Sequence, residues 1–147
     1  MKLSMGILCD RATVREGLLH ILGAGVTKTS LTLPTAPDLD LAIMLSSETW
    51  SEFAGTHSIT VIVRHEDGTE TGKLQLGWEA PDLGQQTDSS GAGEPMAQVP
   101  IVVPLRSIPL TEEGAHFVDL LVDGVNLTTV SFLVTKAALP GVTQQFR

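Results

Sequence analysis

Apolar residues recur at every second position along most of this chain, and that period of two limits the possible folds more than any other feature. It is visible in Leu3, Met5, Ile7 and Cys9, and again in Val118, Leu120 and Val122. Successive side chains of an extended strand point to opposite faces, so this alternation describes strands with one face buried and the other wet. The pattern predicts strands near residues 2–9, 17–28, 39–46, 57–66, 70–79, 98–106, 115–123 and 126–135. Helical spacing is brief: in "TWSEFAG", Thr49 as N-cap, Glu52 as its reciprocal partner and Gly55 as terminator allow one short turn. The expected fold is therefore all-β, an antiparallel β-sandwich of about seven to nine strands, immunoglobulin-like or C2-like.

Two Asp-Gly pairs set the registers. If Asp67-Gly68 closes a two-residue hairpin, Ile59 faces Leu76, Val61 faces Leu74 and His57 faces Trp78. The same arithmetic at Asp123-Gly124 divides the apolar residues of the last two strands between both faces. An extra bulged residue would bring Val118, Leu120 and Val122 together with Val130, Phe132 and Val134. Without it, Phe117, Leu121 and Leu133 form an outward apolar patch. Pro100, Pro104 and Pro109 each lack a ladder donor, which places the strand at 98–106 on a sheet edge.

The chain should form one β-sandwich domain over residues 1–135, with a flexible loop at 80–97 and a C-terminal tail at 136–147. The polar, glycine- and serine-rich composition of "APDLGQQTDSSGAGEP" has no periodicity, and the tail ends on Phe146 with no strand around it. No apolar run approaches the ~18–20 residues of a membrane span. A net charge of −8 repels phosphate backbones, so nucleic acid is not an expected partner. The single Cys9 excludes an internal disulfide and, at an alternating apolar position, reads as a buried thiol in a cytoplasmic protein.

Residues 7–27, "ILCDRATVREGLLHILGAGVT", carry Cys9-Asp10, Gly17 and Leu22-Gly23. The closing stretch carries Gly114, His116, Val118, Leu120, Val122, Asp123 and Gly124. Both ends resemble a family of uncharacterised bacterial proteins, a domain of unknown function. Its first strand ends in Cys-Asp, a short link and a glycine follow, and its closing hairpin reads G-x-Y-x-F-x-L-x-V-D-G. The resemblance implies a β-sandwich and no known activity. His116 stands where that pattern has an aromatic residue, and without any tyrosine a tyrosine-corner hydrogen bond is unavailable.

No catalytic, cofactor-binding or metal-binding residues are expected. His20, His57, His65 and His116 show no pair at metal-binding spacing, and His57 and His65 lie about 26 Å apart along one strand. Asp38, Asp40, Glu66, Asp67 and Asp82 lack the clustered loop that calcium requires. No nucleophile elbow or phosphate loop occurs. The expectation is a non-enzymatic protein-interaction or scaffold domain that binds a protein partner or itself, with Phe117, Leu121, Leu133 and Phe146 as its contact surface. The alternatives are a hydrolytic or metal-dependent enzyme using histidines with Cys9 or the aspartates, and a small-ligand or carbohydrate-binding module using Trp50 or Trp78.

Overall fold

The computed structural model describes residues 1–82 and 97–138, and all its long elements are strands. These are β1 (Lys2–Arg15), β2 (Leu18–Ala24), β3 (Lys28–Leu31), β4 (Asp40–Ser47), β5 (Gly55–His65), β6 (Glu70–Ala80), β7 (Ala97–Pro104), β8 (Gly114–Val122) and β9 (Val125–Lys136). A 3-10 turn spans Trp50–Phe53. Sheet A has the order β2-β1-β4-β7 and sheet B the order β3-β9-β8-β5-β6. One hydrophobic core joins them, with Leu8, Leu41, Ile43 and Leu45 from sheet A against Val61, Leu120, Phe132 and Val134 from sheet B.

β5 and β6 keep the expected partners Ile59–Leu76, Val61–Leu74 and His57–Trp78, but reach them by a different turn. Only Gly68 has positive φ there, Gly68 N–H donates to the His65 carbonyl, and His65 N–H donates to the Thr69 carbonyl. The loop is thus a type I turn followed by a left-handed glycine, one residue longer than a type I′ turn. That pairs Arg64 with Glu70, where the shorter turn would pair it with Thr71, and an irregularity between Val63 and Arg64 restores the register above it. Two one-residue offsets cancel.

At the closing hairpin, Asp123 (φ 49°) and Gly124 (φ 81°) form the two-residue type I′ turn, and Val122 pairs with Val125. A bulge between Leu120 and Leu121 shifts the rest, so Val118 meets Val130 and His116 meets Phe132 on the buried face. Hydrophobic burial selects this register: without the bulge, the apolar set of β9 would face solvent. Among the described residues β7 pairs only with β4, so the proline-rich strand is an edge there.

Four expectations need correction. β1 continues beyond Cys9-Asp10 to Arg15 and turns at Glu16 (φ 52°) and Gly17 (φ 73°), the left-handed pair of a second type I′ hairpin. The strand expected at 17–28 ends at Ala24, where the chain turns at Gly25 (φ 85°), and Lys28 already begins β3 of the other sheet. The two sheets are not wholly antiparallel, since β3 crosses to sheet B and runs parallel to β9, Lys28 beside Leu133. Thr49 makes no side-chain cap, as its hydroxyl pairs with that of Ser51 while Glu52 pairs with the N-terminal amine. Most of the loop expected at 80–97 and most of the tail lie outside the described residues.

Candidate protein-interaction site

Beyond Asp10, β1 has no partner in β4; among the described residues it pairs from there on with β2 alone, forming a two-stranded arm. The arm has two unlike faces. Leu19 and Ile21 of β2 join Ile7 of β1 and Val102 of β7 around Cys9, Ala12 and Ala42, closing a small second core outside sheet A. Leu18 and Leu22, opposite Arg15 and Arg11, keep 62% and 69% of their surface in solvent. These are among the largest exposures of any apolar side chain among the described residues, and they lie on a strand whose other edge is unpaired there.

The root of the arm is anchored by charge. Asp40, almost wholly buried, accepts the Ala12 N–H at 2.8 Å and an Arg106 NH donor at 2.6 Å. Asp38 lies outside and accepts from Arg11 at 2.8 and 3.0 Å and from Arg106 at 2.6 Å. Arg11 first, then Arg106, hold the Asp38 carboxyl down at about 2. The two aspartates weighed as calcium ligands are thus engaged by two arginines. The Cys9 thiol touches the Asp40 carbonyl at 3.5 Å, and burial followed by the nearby Asp40 and Asp10 charges push it up. No histidine is hydrogen-bonded to it among the described residues, so the geometry of a thiolate–imidazole pair is missing there.

The outer face of sheet B is differently built. Phe117 is half-buried with the Arg64 guanidinium 5.7 Å from its ring centre, Leu121 is half-buried, and Leu133 is exposed. Between Phe117 and Leu121 lies Asp119, buried, accepting from Arg64 at 2.5 and 3.0 Å and from the Thr129 hydroxyl at 2.6 Å. This polar centre interrupts the patch. Asp119 is not among the residues expected there, since its two partners come from other strands and could not be read from spacing. Phe146 lies outside the described residues.

The histidines divide by environment. His57 is held between Asp123 (2.7 Å) and the Ala54 carbonyl (2.9 Å) and stacks on Trp78 at 4.9 Å, which leaves Trp78 half-buried. Asp123 also accepts the Ser58 N–H, so the Asp-Gly of the closing hairpin is part of the frame. Trp50 is exposed, tilted against Phe53 at 6.0 Å. His65 Nδ1 lies 3.2 Å from Asp67 and 3.5 Å from Glu112, with Nε2 2.8 Å from the Glu113 carbonyl. Spacing could not bring Glu112 to His65, because the loop before β8 does so. Both carboxylates are exposed and the group ties two loops together at the surface.

His65 and His116 meet edge-on at 5.1 Å and respond oppositely to acid. The Glu113 carbonyl, and to a lesser degree Asp67 and Glu112, raise His65, so its stabilising contribution is present in acid and fades as pH rises through its folded value. Burial lowers His116, so the unfolded chain binds its proton more readily and stability falls as pH drops below about 6.5. Urea denaturation at pH 5 and pH 8 should show His116→Phe losing less stability in acid than the wild type. His65→Gln should lose more of its stability at pH 5 than at pH 8, relative to the wild type.

Among known proteins, the model of a family described as a family of unknown function, DUF6941, matches residues 4–135. No curated protein matches the chain. Among solved structures, the chain is similar to the alkylpurine DNA glycosylase AlkC of Pseudomonas fluorescens, bound to DNA containing an abasic site analogue. The identity is 15%, over 72% of this chain and 27% of that one, with a TM-score of 0.36. So loose a likeness has no bearing on function. No helix among the described residues is long and apolar enough to cross a membrane.

Proposed function

We propose, from the premise that this chain belongs to DUF6941, a family of unknown function, that it is a non-enzymatic bacterial protein-interaction domain whose contact element is the β1–β2 arm. The observation that carries this reading is the exposure of Leu18 and Leu22 on an edge strand whose outer hydrogen-bonding side has no partner strand among the described residues. Exposed leucines on an unpaired edge are what strand addition uses: main-chain bonds give affinity and alternate side chains give selectivity. Two packed sheets around one core agree with an immunoglobulin-like sandwich, and the free, buried Cys9 agrees with a reducing cytoplasm.

The arm is favoured over the outer face of β8 and β9, where Phe117 and Leu121 flank the Arg64–Asp119–Thr129 group and are half-covered. A photo-crosslinking residue at Leu22 is expected to give protein adducts in the native cells, whereas the same residue at exposed Gln75 on β6 gives none. Equal labelling from both positions, or none from Leu22, would refute the role of the arm.

A further inference from the structure

Among the described residues four strands border the two sheets, and three are defended against pairing with another chain. β7 carries Pro100 and Pro104, β6 carries Glu70, Lys73 and Glu79, and β3 has only four residues. β2 has none of these devices: its seven residues contain no proline and no Lys, Arg, Asp or Glu. An unguarded, apolar edge is costly unless something covers it.

The sequence of that edge indicates the cover. Residues 18–22 read Leu-Leu-His-Ile-Leu, which is chemically the same in both directions about His20. In an antiparallel pair related by a two-fold axis through His20, facing residue numbers sum to 40. Leu18 then meets Leu22 of the other copy, Leu19 meets Ile21, and His20 meets His20. Every apolar residue of the stretch finds an apolar partner, and the two most exposed leucines cover each other twice. A closed two-fold interface requires such a self-complementary patch, and a foreign peptide would not.

Resting on the reading of the arm as the contact element, we infer that its partner is a second copy of this chain. Pairing β2 to β2 across the axis through His20 joins the two A sheets into one sheet of eight strands, β7-β4-β1-β2 and the same order reversed. Seven residues at about 3.3 Å each give an edge of roughly 23 Å, a smaller contact than a stable obligate dimer has, so the dimer is a reversible one in the micromolar range.

Sedimentation velocity of the purified chain from about 1 to 500 µM tests this. The mass should rise from 15.6 kDa toward twice that value, while Leu22→Asp remains a monomer with an unchanged circular dichroism spectrum. Register is tested by mild oxidation in a Cys9→Ala background. His20→Cys should form a disulfide-linked dimer at least tenfold faster than Leu18→Cys, whose own copy sits four residues away along the strand. A wild-type mass of 15.6 kDa at every concentration, or equal crosslinking of the two cysteine variants, overturns the proposal. If the chain stays monomeric yet the Leu22 crosslinker captures a different protein, the second copy fails and the arm stands. If no adduct forms at all, both fail.

Discussion

Replacing Leu120 by alanine is expected to lower the stability of the domain by about 3 kcal/mol, roughly 10 °C in melting temperature, while Leu133→Ala changes it by less than about 0.5 kcal/mol. Both are leucines of the closing hairpin. Leu120 is fully buried between the sheets, whereas Leu133 keeps 42% of its surface in solvent on the outer face. Truncating Leu120 removes transfer energy and leaves a cavity that β5 and β9 cannot close without breaking their ladders. Denaturant unfolding monitored by tryptophan fluorescence measures both. Comparable losses at the two sites would mean that the bulge between Leu120 and Leu121 is misplaced and that the apolar faces of β9 are exchanged.

The second large effect separates two aspartates in one charge network. Asp40→Ala should cost about 2–3 kcal/mol, and Asp38→Ala should leave the unfolding midpoint nearly where it was. Asp40 is buried; its removal strips the Ala12 N–H of its acceptor and takes from Arg106 its inner partner. The loss is below that of a wholly interior pair because the Arg106 side chain keeps 36% of its surface in water. Asp38 is 70% exposed, and solvent replaces what its arginines lose. Equal unfolding midpoints for the two variants would show that the network does not anchor the arm.

Local patterning carried much of the fold. The period-two runs located the core residues of β5 and β8, and the prolines identified β7 as an edge, because both signals lie within a few consecutive residues. Wherever two signals competed, the sequence left the choice open. The apolar residues of β8 and β9 admitted two registers, and only the shared core with β4 and β5 makes one of them the drier. The Glu16-Gly17 turn was missed because its residues are not the usual Asn-Gly or Asp-Gly, although Glu16 adopts the same left-handed backbone.

The site was less legible than the frame. Phe117, Leu121 and Leu133 were singled out because their strand position is outward, but burial on an outer face depends on neighbours from other strands. Arg64 and Thr129 come from β5 and β9 to gather around Asp119. Leu18 and Leu22 looked like ordinary members of an apolar strand. That they face water follows from β2 being last in its sheet and from the arm reaching beyond β4.

By itself the sequence determined that the chain forms strands, which of their faces are oily and where several of them turn, since these depend on side-chain alternation and local backbone preference. The tertiary structure alone decided which strands are neighbours outside the two Asp-Gly hairpins, that β3 lies parallel to β9, and that β2 ends its sheet with leucines in water. Strand adjacency is set by how the whole apolar surface is shared between two layers, a sum over distant residues that no short stretch contains.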